Sequence, residues 1–186
     1  MRKNFGVKPF LNPKPVLVLG TYNEDGTPNA MTAAWGGTAG SDQITVCVSG
    51  GHKTAENMMA RKAFTVSVGT ADHVVCIDYL GLTSGHMVPN KMEVAGFHTT
   101  KSEFVDAPII DELPLTLECK PISYDHDSHL MLAQVINVSA DESILDEEGR
   151  IDMVKLKPIV YDSVKRDYFV LGEKVGDAYG SGNQLK

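Results

Sequence analysis

Val16-Leu17-Val18-Leu19-Gly20-Thr21, followed by Asn23-Glu24-Asp25-Gly26 and then Pro28-Asn29-Ala30-Met31-Thr32-Ala33-Ala34-Trp35, is the stretch that decides the fold. The first run is short, apolar and rich in β-branched residues, and it reads as a buried strand. Asp-Gly between two strand-like runs is a strong hairpin signal, because the turn needs residues that tolerate positive φ. The chain therefore goes out, turns tightly and comes back as an antiparallel pair.

Outward from that hairpin the pattern repeats. Ile44-Thr45-Val46-Cys47-Val48-Ser49 and Phe64-Thr65-Val66-Ser67-Val68 read as strands, as do 97–105, 114–124 and 129–139, with Tyr168-Phe169-Val170-Leu171 as a last short one. Two helices are expected. One is Ala55-Glu56-Asn57-Met58-Met59-Ala60-Arg61-Lys62, with Thr54 as N-cap, Glu56 in the first turn and Arg61 and Lys62 in the last. The other runs from Asp72, as cap, to about Leu80, with Val74, Val75, Ile77 and Leu80 on one apolar face. Pro9, Pro13 and Pro15 make the opening an extended segment. The segment Gly81 to Gly96 reads as loop or short helix, Asp146-Glu147-Glu148-Gly149 as an exposed turn, and the Gly-rich end from Gly176 as lying on the surface or on a partner subunit. Strands that follow one another through tight turns favour a mainly β, α+β architecture, an antiparallel β-barrel with a few packed helices, over a doubly wound sheet. With no repeat and no linker, residues 1–186 read as a single domain.

Composition narrows the function. A net charge of -7 argues against nonspecific nucleic-acid binding, which needs clustered Lys and Arg. Three Cys without CxxC spacing argue against a disulfide framework or a zinc knuckle, and Cys47 and Cys119, inside apolar alternating runs, read as small buried thiols. The basic N-terminus lacks a signal peptide's apolar core, and no run approaches the ~20 apolar residues that span a bilayer, so no membrane partner and a cytoplasmic location are expected.

The segment that carries most chemistry is Ser49-Gly50-Gly51-His52-Lys53-Thr54. Glycines bring backbone N–H groups close to an anion, the following helix adds the positive end of its dipole, and Lys53, Ser49 and Thr54 supply charge and hydroxyls. That is a seat for a phosphate monoester, or else an ordinary strand-to-helix turn. A nucleotide-hydrolysing P-loop is disfavoured, because its two required glycines are replaced by Cys47 and His52. In Asn29-Ala30-Met31-Thr32-Ala33-Ala34-Trp35, the short side chains at 30, 32, 33 and 34 leave room for a flat ring against the backbone, although a tight barrel corner gives the same pattern. Trp35 suits either the border of that ring or the barrel packing. His126 and His129, with Asp125 and Asp127, read as a solvated acidic turn rather than a metal site, and no metal is expected. His73 reads as a helix-surface residue.

Taken in order, Pro15 to Thr21, the Asp25-Gly26 hairpin, Asn29 to Trp35, and His52-Lys53-Thr54 before a helix resemble the flavin reductase-like family, and within it the flavoredoxin-type branch. Ser84-Gly85 followed by Lys91, and Pro158-Ile159-Val160-Tyr161 with Tyr168 to Gly172, extend the resemblance over nearly the whole chain. The resemblance implies an FMN-binding split β-barrel of antiparallel, Greek-key type. It places Asn29–Trp35 beside the isoalloxazine, Ser49–Thr54 on the ribityl phosphate, and Ser84, Gly85 and Lys91 in a covering loop. It also implies a homodimer with FMN near the interface, so that Tyr161 and Tyr168 either approach a flavin or pack in the core. Related reductases often carry a His just before the strand here at 129–139; the matching position falls nearest Ser128, with His129 offset by one.

The function so implied is an FMN-dependent oxidoreductase. NADH or NADPH delivers hydride to flavin N5, and electrons pass on to a flavin, a protein or another small acceptor. Because the cofactor carries that chemistry, no catalytic side chain is nominated. Two alternatives stand beside it: an electron carrier reduced by another protein, and a split-barrel module for another cofactor such as haem, although the haem-attachment motif CxxCH is absent.

Overall fold

A computed structural model describes residues 1–186. After a two-residue strand β1 (Lys14–Pro15), the chain forms β2 (Leu17–Tyr22), β3 (Pro28–Ala33), β4 (Gly36–Thr38) and β5 (Gln43–Cys47). Helix α1 (Lys53–Arg61), strand β6 (Phe64–Val68), helix α2 (Val74–Leu82) and short helix α3 (Lys91–Val94) follow. Next come β7 (Thr99–Lys101), β8 (Pro108–Ile110) and the long hairpin β9 (Leu115–Asp125) and β10 (Leu130–Ala140). The chain ends through α4 (Met153–Leu156), β11 (Ile159–Asp162) and β12 (Asp167–Val170). No helix is long and apolar enough to cross a membrane.

Seven strands make one antiparallel sheet in the order β3-β2-β6-β9-β10-β5-β4. Its outermost strands, β3 and β4, are separated in sequence by Ala34 and Trp35 alone. Two residues cannot cross a flat seven-stranded sheet whose strands lie ~4.8 Å apart. The sheet must therefore curl until its edges nearly meet, and the result is a barrel closed by the chain but not by a ladder of hydrogen bonds. Bulges between Leu132 and Ala133 and between Val135 and Asn137 bend β10 around that curve. A second sheet, β1-β11-β12, lies beside the barrel, and β7 pairs with β8.

The opening run behaves as its alternation demands. Leu17 and Leu19 point into the barrel with Val46, Met58, Phe64, Val66 and Met131, whereas Val16 and Val18 face α2 with Ile77 and Leu80. A strand covered on both faces reads as a continuous apolar run, which is why Val16–Leu19 shows no polar alternation. Truncating a residue as central as the fully buried Phe64 to Ala costs about 3–5 kcal/mol. At the hairpin, Asn23 N–H donates to Thr27 C=O at 2.8 Å and Asp25 Oδ1 accepts from Thr27 N–H at 2.9 Å. Gly26 sits at φ +85°, where a side chain is strained.

Several sequence expectations are corrected. Residues 97–105 contain only the three-residue β7, because Gly96 turns the chain at φ +73° and Ser102 closes a tight loop, accepting from Phe104 and Val105 N–H. A 3-10 turn at Ala71–His73 precedes α2, so Asp72 is not its cap. Val75 is 78% exposed: it lies about 140–160° around the helix from Leu80 and Ile77, which pack inward. Cys119 is buried as expected, but Cys47 is exposed, because Val46 and Val48 take the inward positions on either side of it.

Candidate functional site

Beyond β5 the backbone turns at Ser49–Gly51, His52 N–H donating to Ser49 C=O at 3.0 Å, and α1 begins. His52, with extended φ and ψ, is the N-cap and provides no side-chain cap. The amides of the first turn therefore point out of the helix end without a side-chain acceptor, which favours an anion there. Thr54 is not the cap. It lies inside the first turn, buried, and its Oγ1 accepts from Asn29 Nδ2 at 2.9 Å. Asn29 also reaches Thr21 Oγ1 at 3.2 Å, to which Asn57 Nδ2 donates at 3.1 Å. This buried network ties β2, β3 and α1 together just behind the helix end.

In front of the helix end is a recess of about 150 Å³, walled by Lys53, Thr54, Thr83, Ser84, Gly85 and Lys91. Lys53 Nζ lies 3.6 Å from Glu56 Oε2, and Glu56 Oε1 lies 3.3 Å from His86 Nε2. Lys91 is buried, and its ammonium donates to the carbonyls of Leu80 at 3.2 Å and Thr83 at 2.8 Å, at the C-terminal end of α2. Burial lowers its pKa to about 8, so at neutral pH it stays mostly charged. Gly85 packs so closely that a Cβ there would collide with Asn29 Oδ1 and stand 3.3 Å from Lys53 Cβ.

A larger cleft of about 450 Å³ opens beside the recess. The two share Met31, His52, Gly81 and Leu82 as a common wall. One side of the cleft is β3 and its continuation, Met31 through Trp35; next to it, where Cys47 N–H donates to Trp35 C=O at 2.7 Å, Cys47, Val48 and Ser49 extend the lining. Asp78 and the C-terminal end of α2 form another side. That helix approaches β3 closely, because Gly81 leaves room against Thr32 and the Thr32 hydroxyl donates to Ile77 C=O. Trp35 is half exposed, with Lys14 Nζ 4.8 Å from its ring centroid. Val16, Tyr161, Tyr168 and Arg166 complete the lining. Tyr168 donates its hydroxyl to Asp78 Oδ1 at 2.8 Å, and burial, reinforced by that bond, holds its pKa above the ordinary phenol value.

Of the residues nominated from sequence, Met31, Thr32, Ala33, Ala34, Trp35, Ser49, His52 and Tyr168 line the cleft. Lys53, Thr54, Ser84, Gly85 and Lys91 line the recess with Met31 and His52. Ala30 is instead in the core and Asn29 behind the helix end, while Gly50 and Gly51 are exposed on the loop, Gly50 against Tyr124. Asp78, Gly81, Leu82, Arg166, Cys47 and Val48 were not foreseen as lining residues. Nothing local in the sequence marks them, since only the tertiary packing of α2, β5 and the β11–β12 turn brings them to the cleft. His129, at φ +60°, sits near the Tyr124 hydroxyl at 3.4 Å and does not line the cleft.

A family model described as the flavin reductase like domain matches residues 11–168. The chain belongs to the flavin reductase-like family. Among solved structures, this family member is similar to the flavoredoxin of Desulfovibrio vulgaris (Miyazaki F), at 32% identity and TM-score 0.93, covering 98% of this chain and 100% of that one. It is also similar to flavoredoxin from Methanosarcina acetivorans, at 27% identity and TM-score 0.88, covering 100% and 98%. An FMN-binding domain of a flavin reductases-like enzyme from Shewanella baltica OS155 shares the fold, at 21% identity, TM-score 0.79 and coverage of 90% and 91%. The split barrel with four helices is thus a flavin reductase-like fold, as the sequence implied.

Proposed function

We propose that this flavin reductase-like chain binds FMN and works as an oxidoreductase that takes hydride from NADH or NADPH and passes electrons to a flavin or protein acceptor. The observation that carries the reading is the shared wall. A flat, largely apolar cleft joins a small cationic recess at a helix N-terminus, and FMN has the same two unequal parts, a planar ring and a phosphate. The donor set suits a phosphate monoester: uncapped first-turn amides, Lys53, Ser84 and the buried Lys91, with Gly85 keeping the recess open.

FMN, when bound, supplies hydride acceptance and electron transfer. The chain's own residues bind and orient it. Thr32, Ala33 and Ala34 would present a low surface to the ring, Trp35 would border it, and Lys53 with the α1 amides would hold the phosphate. Hydride transfer to flavin needs no protein acid or base, so no side chain is assigned a catalytic role.

The chain's likeness to two flavoredoxins supports a second reading, an electron carrier reduced by another protein. A homodimer is part of the proposal: Leu82 and Met87 are each 80% exposed at and just beyond the cleft-forming end of α2, Val75 is 78% exposed at its other end, and Val175, Tyr179 and Leu185 extend on an exposed C-terminal segment. The cytoplasm is the proposed location, with residues 1–186 acting as one domain.

The test is an absorption spectrum of the purified chain reconstituted with FMN, followed anaerobically by NADH or NADPH. Bound-flavin bands that bleach within the mixing time support the reductase. Bands that persist with nicotinamides yet bleach on photoreduction support the carrier. Absence of bound flavin overturns both.

A further inference from the structure

The end of the cleft formed by the β11–β12 turn holds chemistry that seating a flavin does not use. That turn is tightly wound: Asp162 Oδ1 accepts from Val164 N–H at 2.9 Å, Asp162 C=O accepts from Arg166 N–H at 2.8 Å, and Arg166 takes φ +67°. The left-handed region is uncommon for a side-chain-bearing residue, and here it ends the turn with Arg166 on the cleft lining. Arg61 and Arg150 are ion-paired with carboxylates; Arg166 is not. Tyr161 lines the same cleft, its ring centroid 5.7 Å from that of Tyr168, two residues beyond Arg166. The Tyr168 hydroxyl is committed to Asp78, whereas that of Tyr161 has no hydrogen-bond partner within the chain. A guanidinium and a phenol, both with donors to spare, thus share a wall with the half-exposed indole of Trp35. None of these three belongs to the wall shared with the phosphate recess.

We propose that Arg166 and Tyr161 form an oxyanion subsite for the second ligand of the cleft, a planar π-system carrying a carboxylate or a phosphate. The proposal rests on the FMN reading, since the first ligand is taken to be the flavin. The planar guanidinium matches two oxygens of such a group at once, Tyr161 donates a further hydrogen bond, and the aromatic walls select a flat body. The oxyanion has two possible sources: an aromatic carboxylate that receives electrons, or a phosphate of the nicotinamide dinucleotide that donates them. Arg166 is therefore a specificity residue for whichever ligand meets the flavin.

The experiment uses the FMN-loaded chain. Its flavin absorbance is titrated with benzoate, with the neutral isostere benzamide, and with NAD⁺ and NADP⁺, for the parent, Arg166→Gln and Tyr161→Phe. FMN affinity is first measured through fluorescence of Trp35, the sole tryptophan. It is measured in every variant, and the anion titrations are then run with the flavin site saturated, so that a change in the flavin seat is separated from a change in the subsite. A benzoate affinity that falls about tenfold or more in Arg166→Gln and less in Tyr161→Phe, with benzamide unmoved, identifies a carboxylate acceptor. A comparable loss confined to the dinucleotides identifies the donor's phosphate. Unchanged affinity for every anion in Arg166→Gln overturns the subsite while leaving FMN binding intact. Failure of the parent to bind FMN overturns the function reading itself and takes the subsite with it.

Discussion

Asn29 on β3 donates its side-chain amide to Thr54 Oγ1 in the first turn of α1, at 2.9 Å, with both residues buried. One hydrogen bond thereby joins the strand that borders the cleft to the helix end that faces the recess. Asn29→Ala leaves the Thr54 and Thr21 hydroxyls without that partner, and the expected cost is about 1–3 kcal/mol, read as a lower urea midpoint. FMN affinity should fall with it, although Asn29 lines neither cavity.

Lys53→Ala tests the phosphate assignment directly. Removing one charge-assisted contact should weaken FMN by about 1.5–3 kcal/mol and leave riboflavin, which lacks the phosphate, nearly unaffected. Side-by-side titrations of the two flavins provide the comparison, and equal weakening of both would remove the assignment.

Lys91 makes the site pH-dependent. Burial brings its folded pKa to about 8, below the unfolded value near 10.5, so the charged form is what folding disfavours. From about pH 8 to 10.5 the unfolded chain holds more protons at this site, and stability should rise with pH relative to Lys91→Met. Phosphate binding runs the other way, because it needs the ammonium. FMN affinity should decline above about pH 8 in the parent, and Lys91→Met should flatten that limb of the profile.

Gly85→Ala introduces a Cβ that meets Asn29 Oδ1 and crowds Lys53 Cβ at 3.3 Å. Overpacking of this kind costs about 1–3 kcal/mol, and here it also narrows the recess. The expected result is a lower melting temperature with a larger loss of FMN than of riboflavin affinity.

Sequence order carried the architecture further than it carried the site. Phe64–Val68 is a strand over the residues expected, because five alternating apolar and hydroxyl residues between turns leave little else to form. The place of Lys53 beside the recess was legible because it directly precedes an expected helix start, whereas Gly85 entered only through the family resemblance. Thr54 was misread as a cap: a hydroxyl at a helix start suits either role, and only the buried amide of Asn29 decides it. Arg166 was invisible for a similar reason. Its neighbours in sequence make a hairpin turn like many others, and its place on the cleft comes from β11 pairing with β1 rather than from any local pattern.

The two-residue link between β3 and β4 has a consequence for the apoprotein. A sheet with free margins offers unpaired N–H and C=O groups to any strand that passes, including one from another copy of the same chain. In this barrel Ala34 and Trp35 join the two margins, and the same two residues line the cleft together with the end of β3. If FMN is held as proposed, its ring would lie against the β3 margin and cover part of it. The ligand would then be part of the wall, and the chain without it would leave that margin free to pair with a second copy.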